Sequence, residues 1–322
     1  MARLIAPLDI IGLDRIGFDQ RLDTDRPIQG TLVASASLGA SPDLSPDDRD
    51  GTRRPPIRIQ WRAAVAVLPD EAPVWTRVGD ALWFAPPGVA RYRCTAASID
   101  VIPLKPIAHA AIDALLIATA LPAMLWLQGA FMLHASAIVP HDHDGALAIA
   151  GASGSGKSRL AAAFLANRAQ FVADDSIAVR WDDDKFAVRW TDERSNAGPR
   201  CAGLAGGYHL GPHDAHDLNV RDVHDARPFH PVPDHRARRS APLATIVILD
   251  DDPRASRKRL VAVEAVAALL ANRHRAGALR RHGLEPRALR DAARIVRSVP
   301  VYRWPRKDAD ALLDDDVRRT IM

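Results

Sequence analysis

With 322 residues, 48% of them hydrophobic and 25% charged, the chain has ordinary globular usage and length for about two domains at ~150 residues each. A net charge of +4, spread through arginines scattered among acids, gives no concentrated basic face and so no sign of a nucleic-acid partner. Two cysteines, Cys94 and Cys201, lie far apart without metal-ligand spacing, so a disulfide framework is not expected and a reducing cytoplasm is the default.

The N-terminus, Met1 to Pro7, lacks the continuous apolar run of a signal peptide. Between Ser35 and Pro56 the composition shifts to Ser, Asp, Pro, Gly and Arg, which predicts a flexible loop. Around it, Ile57 to Trp61, Val74 to Phe84 with a turn at Gly79-Asp80, and Tyr92 to Ile102 read as short strands. They predict a small β-rich N-terminal domain over 1–108.

The stretch Ala114 to Leu133 carries no charge and has about the ~20-residue length needed to cross a bilayer. Pro122 interrupts it, and it runs directly into the strand-like Leu133-His134-Ala135-Ser136-Ala137, so a buried helix bent at Pro122 is expected rather than a membrane span.

Next come a short apolar strand, Ala146 to Ala150, then Gly151-Ala152-Ser153-Gly154-Ser155-Gly156-Lys157-Ser158, then a helical stretch from Arg159 to Ala166. The eight residues satisfy G-x-x-x-x-G-K-[ST], and the flanking strand and helix are what that motif requires. Its glycines let consecutive backbone N–H groups turn onto phosphate oxygens, where the helix N-terminus adds partial positive charge. Lys157 is expected to reach the outer phosphates and Ser158 to hold Mg²⁺.

One helix later, Phe171-Val172-Ala173 reads as a strand that delivers Asp174 and Asp175 at its end. A hairpin is expected over Ile177 to Trp190 with its turn at Asp182 to Lys185. Half of the twelve histidines fall between His209 and His235 among Asp, Arg and Pro; His213 and His216 have metal-compatible spacing, but a pH-sensitive loop covering the site is favoured. Leu243 to Leu249 predicts a central strand, Ala262 to Asn272 and Pro286 to Val296 predict helices, and Pro300 to Trp304 predicts a closing strand.

The short interval between Lys157 and the Asp pair resembles the HPr kinase/phosphorylase family and, more distantly, phosphoenolpyruvate carboxykinase. The pieces that carry the resemblance are the histidine-bearing stretch at 133–137, the phosphate loop and Val172-Ala173-Asp174-Asp175. It extends from about Ala114 to Trp304 and is nearest to the kinases of ribosomally made precursor peptides, lasso precursors above all. The first third does not match the N-terminal domain of the bacterial HPr kinases. The fold implied is α/β: an HPr-kinase-like phosphate-loop domain over 109–322, with a mixed β-sheet and flanking helices, behind the β-rich domain.

That resemblance implies an ATP- and Mg²⁺-dependent kinase. Asp174 would be the general base for a serine hydroxyl, tuned by His134, with Lys157 on the phosphates and Asp175 joining Ser158 on Mg²⁺. The partner implied is a precursor peptide or protein carrying the acceptor serine, with an HPr-type protein as the other kinase substrate; a homo-oligomer stays open. Gly203-Leu204-Ala205-Gly206-Gly207 matches the family's glycine-rich loop, but Arg200-Cys201-Ala202 before it lacks the family's carboxylate, Glu193 being the nearest substitute. A kinase without the reverse phosphorolysis is therefore expected. The alternative class is a phosphate-loop NTPase or a nucleotide-binding regulatory protein.

Overall fold

The computed structural model describes residues 30–33, 58–61, 73–104, 112, 115–181, 198–203, 207–209, 229–238 and 240–322, which fall into two compact units. The first reaches Gly129 and also takes Arg275–Leu284, and the second holds the other described residues from Ala130.

The first unit is a six-stranded sheet in the order β1-β2-β6-β5-β4-β3, formed by β1 (Gly30–Val33), β2 (Arg58–Trp61), β3 (Trp75–Val78), β4 (Ala81–Phe84), β5 (Ala90–Cys94) and β6 (Ser98–Pro103). The hairpin at Gly79-Asp80 is present, with Val78 opposite Ala81. The run expected as one strand from Tyr92 to Ile102 is instead two, because Thr95 turns the chain: its N–H donates to Ser98 O at 2.9 Å and its Oγ1 accepts from Ser98 N at 3.0 Å. Trp83, Tyr92, Ile99 and Val101 fill the core, and the Tyr92 hydroxyl donates to Ile112 O at 2.7 Å.

The uncharged stretch is a buried, interrupted helix. A wide π-turn, Leu116–Ala120, passes into α1 (Leu121–Leu127) with Pro122 in its first turn, where the missing N–H costs least. Its contacts are with β5 and β6, so this segment belongs to the first unit. Among the described residues no helix is long and apolar enough to cross a membrane.

The second unit is built on a nine-stranded mixed sheet. Its path runs β10 (Gln170–Ala173), β8 (Ala135–Val139), β9 (Ala146–Gly151), β15 (Ser240–Asp250), β12 (Arg200–Gly203), β11 (Ile177–Arg180) and β7 (Phe131–Leu133). Strand β17 (Val301–Pro305) lies parallel to β15 and pairs in turn with β16 (Lys258–Arg259). A separate ladder joins β13 (Gly207–His209) to β14 (Phe229–Pro231). The sheet is mixed as expected, since β9 and β15 are parallel whereas β8 is antiparallel to both β9 and β10.

Every residue of β9 is buried, and its alternation explains the layering. Leu147 and Ile149 face Leu160 and Phe164 of α2 (Lys157–Ala166) in one cluster with Ile138, Val247, Leu249 and Trp304. The small residues Ala146, Ala148 and Ala150 take the other face. Helices α3 (Ala262–Ala271) and α4 (Glu285–Ser298) pack on one another, and α5 (Asp315–Ile321) closes the chain. The expected helix boundaries at 272 and 286–296 shift by one or two residues, which is ordinary fraying.

Two expectations differ from the structure or leave it. The histidine-bearing strand is broken at His134, because β7 pairs with β11 while β8 pairs with β9 and β10. The second half of the expected hairpin, 182–190, lies outside the described residues; β11 itself pairs with β12 and with β7.

Candidate functional site

Strands β9, β10 and β15 point the same way, since β8 is antiparallel to both of its neighbours and β9 is parallel to β15. Their carboxyl ends share one edge of the sheet, the place where open α/β sheets put ligands. Three sequence features reach that edge: the phosphate loop after β9, Asp174-Asp175 after β10 and Asp251 after β15.

Gly151 ends β9, Ala152, Ser153 and Gly154 are exposed, Ser155 is buried, and Gly156 leads into α2, which starts at Lys157. Gly154 and Gly156 have φ of +82° and +94°, a conformation that turns successive peptide N–H groups toward one concave side. The Lys157 ammonium lies across the loop, donating to Gly151 O at 3.0 Å and to Ala152 O at 2.8 Å. Burial lowers its pKa from the ordinary 10.5, opposed by the nearby carboxylates of Asp174, Asp175 and Asp251.

Asp174 is 8% exposed and is the meeting point of three elements. Its Oδ1 accepts from Ser158 Oγ in the first turn of α2 at 2.9 Å and from Ser136 Oγ in β8 at 2.5 Å. Ser136 is fully buried, and its place between the phosphate-loop strand and the aspartate strand makes it a site residue that sequence reading missed. The only signal was its position two residues after His134.

The strand ends at Ala173, so Asp175 is not simply the opposite face of Asp174. Ser176 N donates to Asp174 O at 2.8 Å, closing a tight three-residue turn on Asp175, whose φ is +66°. A non-glycine residue in that region carries strain of order 1 kcal/mol, a cost that recurs where function requires a fixed geometry. The turn hands Asp175 to a different partner. His134 Nδ1 lies 2.7 Å from Asp175 O and 3.5 Å from Asp175 Oδ1, so the structure pairs Ser158 with Asp174 and His134 with Asp175.

His134 is positioned from behind. Its N–H donates to Asn272 O at 2.8 Å and His274 N donates to Met132 O at 2.9 Å, on either side of an antiparallel bridge between Leu133 and Arg273. This brings the rings of His134 and His274 to 5.8 Å. His274 was not visible as a site residue in sequence, being one histidine in a basic helix-end segment.

Asp251 was missed for a similar reason, since Asp250-Asp251-Asp252 reads as a solvated strand end. It pairs with Arg306 Nη1 at 3.3 Å while contributing to the field at Lys157. Of the arginines after the histidine-rich segment, Arg236 donates to the carbonyls of Leu165 and Ala169, capping the C-terminal end of α2, and Arg238 lies 3.4 Å from Gln170 Oε1. Glu193, His213, His216 and Leu204 to Gly206 lie outside the described residues.

No protein-family model and no curated protein matches the chain. Among solved structures it is similar to the HPr(Ser) kinase/phosphatase from Coxiella burnetii, with 12% identity and a TM-score of 0.33 over 59% of this chain and 95% of that one.

Proposed function

We propose that the chain is a cytoplasmic serine kinase that uses ATP and Mg²⁺ to phosphorylate a serine hydroxyl of a peptide or protein. The observation that carries this reading is the 2.9 Å contact between Ser158 and Asp174, which joins a phosphate-binding loop to a buried carboxylate at one sheet edge.

The residues suit the reactants. Gly154, Gly156 and the start of α2 offer N–H groups to phosphate, and the three-donor ammonium of Lys157 is already turned onto the loop. A Ser158 hydroxyl that donates its hydrogen bond to Asp174 keeps its oxygen lone pairs for a cation, a hard oxygen donor of the kind Mg²⁺ prefers. When bound, Mg²⁺ neutralises charge that develops on the phosphate oxygens.

In the proposed step the acceptor serine oxygen bonds to the γ-phosphorus as the bond from that phosphorus to the bridging oxygen breaks, and ADP leaves. The serine proton goes to the Asp174 carboxylate, which Ser136 and Ser158 orient through Oδ1. A base so placed is worth about 10²- to 10⁴-fold in rate. Lys157 holds the phosphates in line, and His134 fixes the turn that follows the base through Asp175 O.

The resemblance to lasso-precursor kinases makes a ribosomally made precursor peptide, phosphorylated near its C-terminus, the proposed substrate. The test incubates the full chain with Mg-ATP and synthetic precursor-type serine peptides, alongside an HPr-type protein, and reads added phosphate by mass spectrometry. Serine phosphorylation is the expected result. Brisk ATP hydrolysis with no transfer to any serine acceptor would overturn the kinase reading in favour of an NTPase.

A further inference from the structure

One imidazole nitrogen from each of His134 and His274, together with a carboxylate oxygen of Asp175, lie within 4.8 Å of one another. We propose that these three residues bind a borderline divalent transition-metal ion, of the Zn²⁺ or Co²⁺ class, at a site separate from the Mg²⁺ of the phosphate loop, so that Asp175 serves this ion in place of the Mg²⁺ role that the resemblance implied for it. The donor set argues for that class, because two imidazoles and one carboxylate suit zinc, cobalt and their neighbours, whereas Mg²⁺ prefers oxygen alone.

The geometry is close to a metal shell. Tetrahedral ligands at ~2.1 Å from an ion stand ~3.4 Å apart. His134 Nδ1 and Asp175 Oδ1 are 3.5 Å apart; when the ion binds, the proton that Nδ1 gives to Asp175 O moves to the other ring nitrogen, and the three donor atoms, already within 4.8 Å of one another, draw together. The three ligands come from three separate segments, each fixed by its own backbone bonds. His134 stands at the break between β7 and β8, Asp175 at the centre of a strained turn, and His274 two residues beyond the cap of α3. Three protein ligands leave a fourth position open, the pattern of sites that also take water or a substrate oxygen rather than of closed structural ones. The burial gradient agrees, since His274 is 4% exposed while the Asp175 side chain is 52% exposed. The ion enters from the Asp175 side and clips the turn that follows Asp174 to the α3 end.

The inference does not depend on phosphoryl transfer, and neither does its test. Untagged full-length chain, stripped with chelator and free of nucleotide, is titrated with Co²⁺ while visible absorption and bound metal per chain are followed. Tetrahedral-type bands saturating at one ion per chain are expected. Asp175→Asn and His274→Ala should each weaken Co²⁺ binding at least ~10-fold, whereas Ser158→Ala should leave it unchanged. Asp175→Asn is decisive if His274→Ala fails to fold, because that side chain is exposed and Asn tolerates a left-handed φ. Absence of Co²⁺ binding, full retention in Asp175→Asn, or equal loss in Ser158→Ala would each overturn the site; the last two would place the ion on other histidines or on the phosphate loop.

Discussion

Ser158 and Asp174, sixteen residues apart, meet at 2.9 Å, so the helix that starts at the phosphate loop and the strand that follows it return their ends to one point. The contact predicts separable effects of two substitutions. Asp174→Asn keeps shape and polarity but loses the proton acceptor, so transfer should fall by at least ~10² while nucleotide affinity changes only a few-fold. Lys157→Ala should damage both. Calorimetric nucleotide binding and mass-spectrometric transfer measure the two quantities separately, and retained transfer in Asp174→Asn would remove Asp174 as the base.

Gly203 supports that same point from below. A Cβ there would stand 2.4 Å from Val172 O and 2.4 Å from Ala173 Cβ, so the end of β12 lies directly on the strand that carries Asp174. Two of the three nearest atoms are backbone and cannot rotate away. Gly203→Ala should therefore cost about 1–3 kcal/mol, lower the thermal midpoint and shift Asp174 away from Ser158. Gly154→Ala meets open space and bears only the backbone strain of its positive φ. Equal thermal midpoints for Gly203→Ala and the parent chain would show that this close approach does not hold in solution.

The phosphate loop, its strand and the aspartate strand were legible because each is local: an apolar run, glycine spacing and two acids follow one another within thirty residues. The partners of Asp174 and Asp175 were not. Period-two alternation assigns adjacent residues to opposite faces, but β10 ends at Ala173 and a left-handed turn at Asp175 redirects the second carboxylate to His134. Ser136 and His274 enter through sheet order and an isolated bridge, both set by long-range pairing that no local pattern encodes. The interruption of the histidine strand has the same origin, since β7 and β8 choose different neighbours.

Cys94 and Cys201 are fully buried, and desolvation pushes the Cys201 thiol up to about 12 and that of Cys94 higher still. A thiol at that value is almost wholly protonated at neutral pH and is a poor nucleophile. Native protein at pH 8 should leave both unlabelled by a thiol-disulfide reagent, with two equivalents appearing on denaturation. Since Cys201 lies in β12, two residues before Gly203, the labelling rate also reports on opening of the strand beneath the site. Prompt labelling of the native chain would mean that β12 opens far more often than its burial implies.

Lys157 gives the site a pH dependence with a definite sign. Burial sets its folded pKa below the ordinary 10.5, so between the two values the unfolded chain holds a proton that the folded chain has released. Stability from this group therefore rises with pH across that window: the cost of burying the ammonium is fully present below the folded value and is relieved as pH climbs toward 10.5. Nucleotide binding runs the other way, because phosphate attracts the ammonium and not the amine. Affinity for ATP without Mg²⁺ should begin to fall at a pH below that of an exposed lysine, while Lys157→Arg, whose guanidinium stays charged, should lack this alkaline fall even if it binds more weakly. Affinity measured from pH 7 upward in both proteins checks this; superimposable alkaline profiles would show that Lys157 is not the titrating group that holds the phosphates.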